Sequence, residues 1–181
     1  LGYGVIAAVA FGLALLTGGL TPLLPLLIAL PLFALQAYWD ATGHSRELLT
    51  ELSGPATLAV ITIAITLAGG WTVLQAVALW TLIVARALPS IWYVRARLRL
   101  ERDKPFSARA VYAAHGVALL VMLLPLSAGL IPLTGWLALG LLTGRAVYGL
   151  SRWRKPSPPK VIGVQEVLFG VAFVILTAIG Y

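Results

Sequence analysis

Seven apolar runs follow one another along this chain, and the connections between them alternate between short ones without Lys or Arg and longer, charged ones. The runs are Gly2–Thr17, Leu20–Trp39, Leu52–Leu67, Trp71–Val94, Ala110–Leu126, Ile131–Leu150 and Val161–Tyr181. A helix of about 20 apolar residues crosses the ~30 Å hydrocarbon layer of a bilayer. Hydrocarbon offers no water to bond an exposed peptide group, so a spanning segment must be a helix or part of a closed barrel. The runs lack the two-residue alternation of barrel strands. The pattern therefore predicts an all-α, polytopic transmembrane bundle forming a single domain over residues 1–181. Charged residues make up only 10% of the chain, against about 25% in a soluble domain, too few to cover a globule in water.

The connections fix an orientation. Those around Gly18-Gly19, Gly69-Gly70 and Ser127–Gly129 carry no Lys or Arg. The other three carry Arg46, then Arg95, Arg97, Arg99, Arg102, Lys104 and Arg109, then Arg152, Arg154, Lys155 and Lys160. Basic loops stay on the cytoplasmic side, which puts the start of the chain inside and its C-terminus outside, in the cytoplasmic (inner) membrane. The net charge of +7 would point to nucleic acid in a soluble protein. Here it is the product of the same loop bias, and no nucleic-acid partner is expected. The expected partners are the bilayer itself, anionic lipid headgroups facing the basic loops, and other membrane proteins on the apolar faces. Leu1 opens directly on an apolar run, with no charged n-region, as expected of a piece of a longer protein rather than of a signal peptide.

Chemistry is sought among the few ionisable groups inside the runs, because each is costly in hydrocarbon unless partnered. Arg86 stands out, about nine residues before Arg95 and therefore roughly 13 Å below the boundary. Arg86, Ser90, Tyr93 and Arg97 recur at helical spacing as one polar stripe, and Pro89 frees a carbonyl beside them. Guanidinium groups match phosphate bidentately, which makes Arg86, Tyr93, Arg95 and Arg97 the candidate ligand-binding residues. Glu51 (with Glu47 one turn earlier), His115 and Glu166 lie at a similar level and are the candidate proton-handling groups. Arg145, two turns before Arg152, lines the same level or reaches back to the boundary. The pattern predicts a polar pocket open to the cytoplasm. The plainer reading makes these groups a structural ion-pair network. There is no cysteine, so thiolate catalysis and iron–sulfur clusters are out. His44 and His115 sit in different segments, and Asp40 and Asp103 are the only aspartates. No metal set, paired haem ligation or other cofactor is indicated.

The segments Arg46-Glu-Leu-Leu-Thr-Glu-Leu-Ser-Gly54, Arg86-Ala-Leu-Pro-Ser-Ile-Trp-Tyr-Val-Arg-Ala-Arg97 and Gly163-Val-Gln-Glu-Val-Leu-Phe-Gly170 together resemble the YwiC-like membrane proteins, a family of unassigned function. Members usually carry a Glu-His-Gly-type motif near their start. Its absence here implies one or two preceding spans, hence about nine in an intact chain. That count and orientation are in turn similar, at the level of fold, to the UbiA-type intramembrane prenyltransferases. Their acidic magnesium–diphosphate motifs have no counterpart in this Arg-rich loop, so the likeness says little about catalysis. Three functions fit the residues: binding or processing an isoprenoid or lipid phosphate, serving as a non-catalytic subunit of a respiratory or photosynthetic membrane complex, or transporting a small anion.

Overall fold

The computed structural model describes residues 2–20, 23–43 and 48–181, and every element among them is helical. In chain order these are α1 (Gly2–Gly18), α2 (Leu24–Ala41), α3 (Leu48–Leu58), α4 (Val60–Ala68), α5 (Val73–Leu100), α6 (Ala108–Val121), α7 (Leu123–Ser127), α8 (Leu133–Gly149) and α9 (Pro159–Gly180). Two of the seven predicted runs are interrupted. Ala59 separates α3 from α4 four residues after Pro55, and Met122 separates α6 from α7 three residues before Pro125. Five passes, Leu24–Ala41, Thr50–Ala68, Val73–Leu100, Ala108–Ser127 and Pro159–Gly180, are long and apolar enough to cross a bilayer. The protein is a multi-pass helical membrane protein.

Local chemistry sets the ends. At the start of α5, the Gln75 amide donates to Thr72 Oγ1 at 3.3 Å while the Thr72 amide donates to Gln75 Oε1 at 3.0 Å. This reciprocal capping box satisfies amides that have no partner inside the helix. Ser107 caps α6 through the Ala110 amide. After α4, Gly70 takes φ +81°, so that Trp71 N–H reaches back to the Thr66 carbonyl at 3.0 Å, a left-handed turn that glycine adopts without steric cost.

The sequence ends the fourth run at Val94, whereas α5 continues to Leu100. Arginine is a good helix former, and Tyr93, Ala96, Arg97 and Leu100 recur on one face. Tyr93 and Ala96 enter a core with Val111, Ala146 and Leu150, against which Leu100 packs. Arg95, Arg97 and Arg99 are therefore helical, and the true loop is the short stretch 101–107.

The chain forms two units, Leu1–Trp80 and Thr81–Tyr181. In the first, α2 packs on α3 and α4, and Trp80 Nε1 donates to the Ala56 carbonyl at 3.2 Å. In the second, α8 lies between α6 and α9, and Trp136 Nε1 donates to the Leu119 carbonyl at 3.1 Å. Close approaches to glycine occur at Gly135, Gly149, Gly170 and Gly180, whereas Gly140 and Gly144, spaced for a tight helix crossing, have nothing near them.

Candidate functional site

In the second unit Ser90, Tyr93 and Arg97 of the polar stripe of α5 meet α8, and Arg145 of α8 is the hub. Arg145 is 8% exposed. Its Nη1 donates to Glu166 Oε2 of α9 at 2.6 Å, and its Nη2 to Ser90 Oγ of α5 at 3.3 Å. The guanidinium also lies over the rings of Tyr93, at 4.4 Å, and Phe169, at 5.4 Å. One cation thus joins three helices through a charge-assisted bond and two ring faces. Tyr93 reaches this position because Gly149 leaves the space: a Cβ there would collide with the tyrosine ring.

Arg86 stands beside this cluster on α5, about 20 Å along the helix from either end. The hydrogen bond of the Glu166 carboxylate goes to Arg145 and not to Arg86. The Arg86 guanidinium lies over the Phe173 ring at 5.4 Å and against Gly170, where a Cβ would meet Nη2 at 2.5 Å. Its Nε is buried without a hydrogen-bond partner. Arg86 also lines an open groove of about 340 Å³ whose other walls are Val167, Gly170, Val171, Val174 and Ile175 of α9. Among the described residues the arrangement holds two cations and one carboxylate, a net charge of +1, on α5, α8 and α9.

His115 of α6 is 3% exposed. Its Nδ1 lies 2.9 Å from the Val111 carbonyl. A carbonyl only accepts, so in the neutral ring Nδ1 carries the proton and Nε2 presents a lone pair. That Nε2 is buried and has no hydrogen-bond partner.

Toward the end of α5, Arg97 is buried at 4% exposure. Nη1 donates to the Gly149 carbonyl and Nη2 to the Lys155 carbonyl, each at 2.7 Å, and Nη1 also pairs with Glu101 at 2.9 Å. Glu101 in turn meets Arg154 at 3.5 Å. Arg97 is thereby a clip between α5, the end of α8 and the following loop. Arg95 is half-buried on the same helix.

Glu51 belongs to the first unit, at the start of α3. It lines a cleft of about 410 Å³ with Phe33, Gln36, Asp40, Thr50 and Thr57, among others. Gln36 organises this cleft, donating to Asp40 Oδ1 at 3.4 Å and accepting from Ser53 Oγ at 3.1 Å. Glu47, expected on the same helical face as Glu51, lies outside the described residues, as do His44 and Arg46.

Residues 1–66 match the YwiC-like protein family. The YwiC-like region takes in the α2–α3 cleft and the Arg46–Gly54 segment, and it stops before Arg86–Arg97 and Gly163–Gly170. No curated protein and no solved structure matches the chain, so the likeness to UbiA-type prenyltransferases finds no support in these comparisons.

The structure thus brings Arg86, Tyr93 and Glu166 of the expected set around Arg145 and turns Arg97 toward backbone carbonyls. The central role of Arg145 was legible only as a seven-residue spacing to Arg152. The glycines that seat Tyr93 and Arg86 carry no signal in a chain with 18 of them.

Proposed function

We propose that this multi-pass membrane protein binds an anionic amphiphile, an isoprenoid or lipid phosphate, with its anionic group drawn to Arg86 and its tail along the α9 groove. One observation carries the reading. Glu166 is held by Arg145 at 2.6 Å, and among the described residues Arg86 has no carboxylate in ion-pair range. An unbalanced positive charge costs roughly 2.5–3.5 kcal/mol at mid-bilayer on insertion scales. A ligand anion offsets that cost, and Arg86 is the member of the cluster that opens onto a groove. The walls of the groove are apolar: Val167, Val171, Val174 and Ile175 are all exposed, as a hydrocarbon tail requires. On this reading Tyr93 and Arg145 are the support of the site and Arg97 holds its cytoplasmic end closed. Of the proton-handling candidates, His115 retains an unused ring nitrogen, whereas Glu166 is engaged by Arg145. Glu51 would serve the separate cleft of the YwiC-like region.

The test is native mass spectrometry of the whole protein purified in mild detergent. An anionic lipid should be retained by the natural sequence, be lost in Arg86→Gln, and be partly restored in Arg86→Lys. The same anionic complement in all three proteins would refute the reading.

A further inference from the structure

The loop after α5 holds a second concentration of positive charge, distinct from Arg86. Arg99 lies 13 residues beyond Arg86 on one continuous helix, about 20 Å away at ~1.5 Å per residue. No single phosphate group reaches both.

The loop is built to gather cations. The carbonyl of Arg99 accepts from the amides of Arg102, at 3.1 Å, and Lys104, at 2.9 Å, while Asp103 takes φ +52°. This tight left-handed turn ends α5, and Pro105 cannot extend the helix. The chain folds back so that Arg99, Arg102 and Lys104 line one cleft of about 350 Å³, with Leu98 and Pro105 as its remaining walls. All three basic residues are exposed, and no carboxylate lines the cleft. Of the two nearby acids, Asp103 lies exposed in the turn and outside the cleft lining, and Glu101 is committed to Arg97 and Arg154 at 2.9 and 3.5 Å. The basic residues are therefore of two kinds: Arg97 and Arg154 share the Glu101 carboxylate, whereas Arg99 and Arg102 face a concavity together with a lysine.

A topology signal needs positive charge on one side of the membrane. Cations at a helix C-terminus need only proximity to its last carbonyls. Neither requires three cations to converge on one cleft, and convergence works against their mutual repulsion. Two planar guanidinium forks and an ammonium form a donor set for phosphate oxygens. Leu98 and Pro105 supply an apolar wall next to it.

We infer that the cleft of Arg99, Arg102 and Lys104 is a phosphate-binding site, taking a phosphomonoester or diphosphate group just beyond the apolar span. The group arrives either on a lipid headgroup or on a soluble phosphate, and the recognition chemistry is the same.

The experiment is calorimetric titration of the whole protein in detergent at low ionic strength with two probes, dioctanoyl phosphatidic acid and inorganic pyrophosphate. It is run on the natural sequence, on Arg99→Gln/Lys104→Gln and on Arg86→Gln. Each hydrogen bond lost between charged groups weakens binding about tenfold or more, so the double variant should bind at least tenfold more weakly. Arg86→Gln should bind the same probe unchanged, and 0.5 M salt should suppress the interaction. Binding of the lipid alone assigns the site to headgroups, binding of pyrophosphate alone assigns it to soluble phosphates, and either result supports it. Helical circular dichroism and elution volume report whether the double variant is folded, and Arg102→Gln provides a milder second variant. The inference is overturned if neither probe binds, if both variants of the cleft bind as the natural protein does, or if Arg86→Gln alone abolishes binding. Retention of lipid in the mass spectrometry of Arg86→Gln, with loss in Arg99→Gln/Lys104→Gln, would leave the cleft standing and remove the groove.

Discussion

Replacing Glu166 by Gln tests the arrangement around Arg145. The natural carboxylate accepts from Arg145 at 2.6 Å, and the two side chains are 5% and 21% exposed. With charge centres about 4 Å apart and an effective dielectric near 20, their attraction is about 4 kcal/mol. Gln keeps the shape and one acceptor but removes the charge, leaving Arg145 and Arg86 together without a carboxylate. Breaking a buried pair from one side costs about 3–5 kcal/mol. The partial exposure of Glu166 puts the expected loss at the lower end, about 3 kcal/mol. At about 2–4 °C per kcal/mol for a chain of this size, Tm should fall by roughly 6–12 °C. Thermal unfolding in detergent followed through the six tryptophans reads this directly. Arg145→Met alone should cost a similar amount, because it leaves the carboxylate without its hydrogen-bonded partner. Arg145→Met/Glu166→Met should recover most of the loss, since two apolar side chains of similar volume remove both desolvation penalties. A shift below about 1 °C for Glu166→Gln, or a double variant as unstable as the two single losses added, would refute the claim that this pair ties α8 to α9.

Gly149→Ala places a Cβ against the Tyr93 ring and should cost about 1–3 kcal/mol through overpacking; Tyr93→Ala in the same chain should relieve the clash, which a double-mutant cycle of melting temperatures would show. Arg97→Met removes the donors that hold the Gly149 and Lys155 carbonyls, so limited trypsin digestion should cut after Arg154 faster than in the natural protein, while an unchanged rate would deny the clip. The chain has no cysteine, so Ser157→Cys and Ser127→Cys report the sidedness of their loops without background. Positive-inside orientation requires an impermeant maleimide to label Ser127→Cys in intact cells and Ser157→Cys only after lysis.

Much of the architecture was legible in the sequence. Hydrocarbon forces every spanning segment to satisfy its own backbone, so the apolar runs alone give helices at nearly their observed positions, from Gly2–Gly18 to Pro159–Gly180. The extension of α5 from Val94 to Leu100 was missed because a run of arginines reads as loop by polarity, although its apolar residues keep helical spacing. The spacing of Arg86, Ser90, Tyr93 and Arg97 also correctly marked one face, since residues three and four apart must share it.

What that face meets was decided by tertiary packing. Periodicity along one helix says nothing about which helix lies opposite, so the choice of Arg145 over Arg86 as the partner of Glu166 was invisible until α8 was seen to lie against α9. Arginine count likewise did not separate Arg97, whose donors turn to carbonyls of the chain itself, from Arg99, two residues on and exposed over a cleft. One hundred degrees of helical rotation per residue makes neighbours in sequence into residents of different surfaces. The sequence by itself determined a multi-pass helical membrane protein with positive charge in alternate loops, because the bilayer acts on each segment separately. Only the tertiary structure decided which charges cancel and which remain, because pairing depends on distances between segments that no single segment encodes.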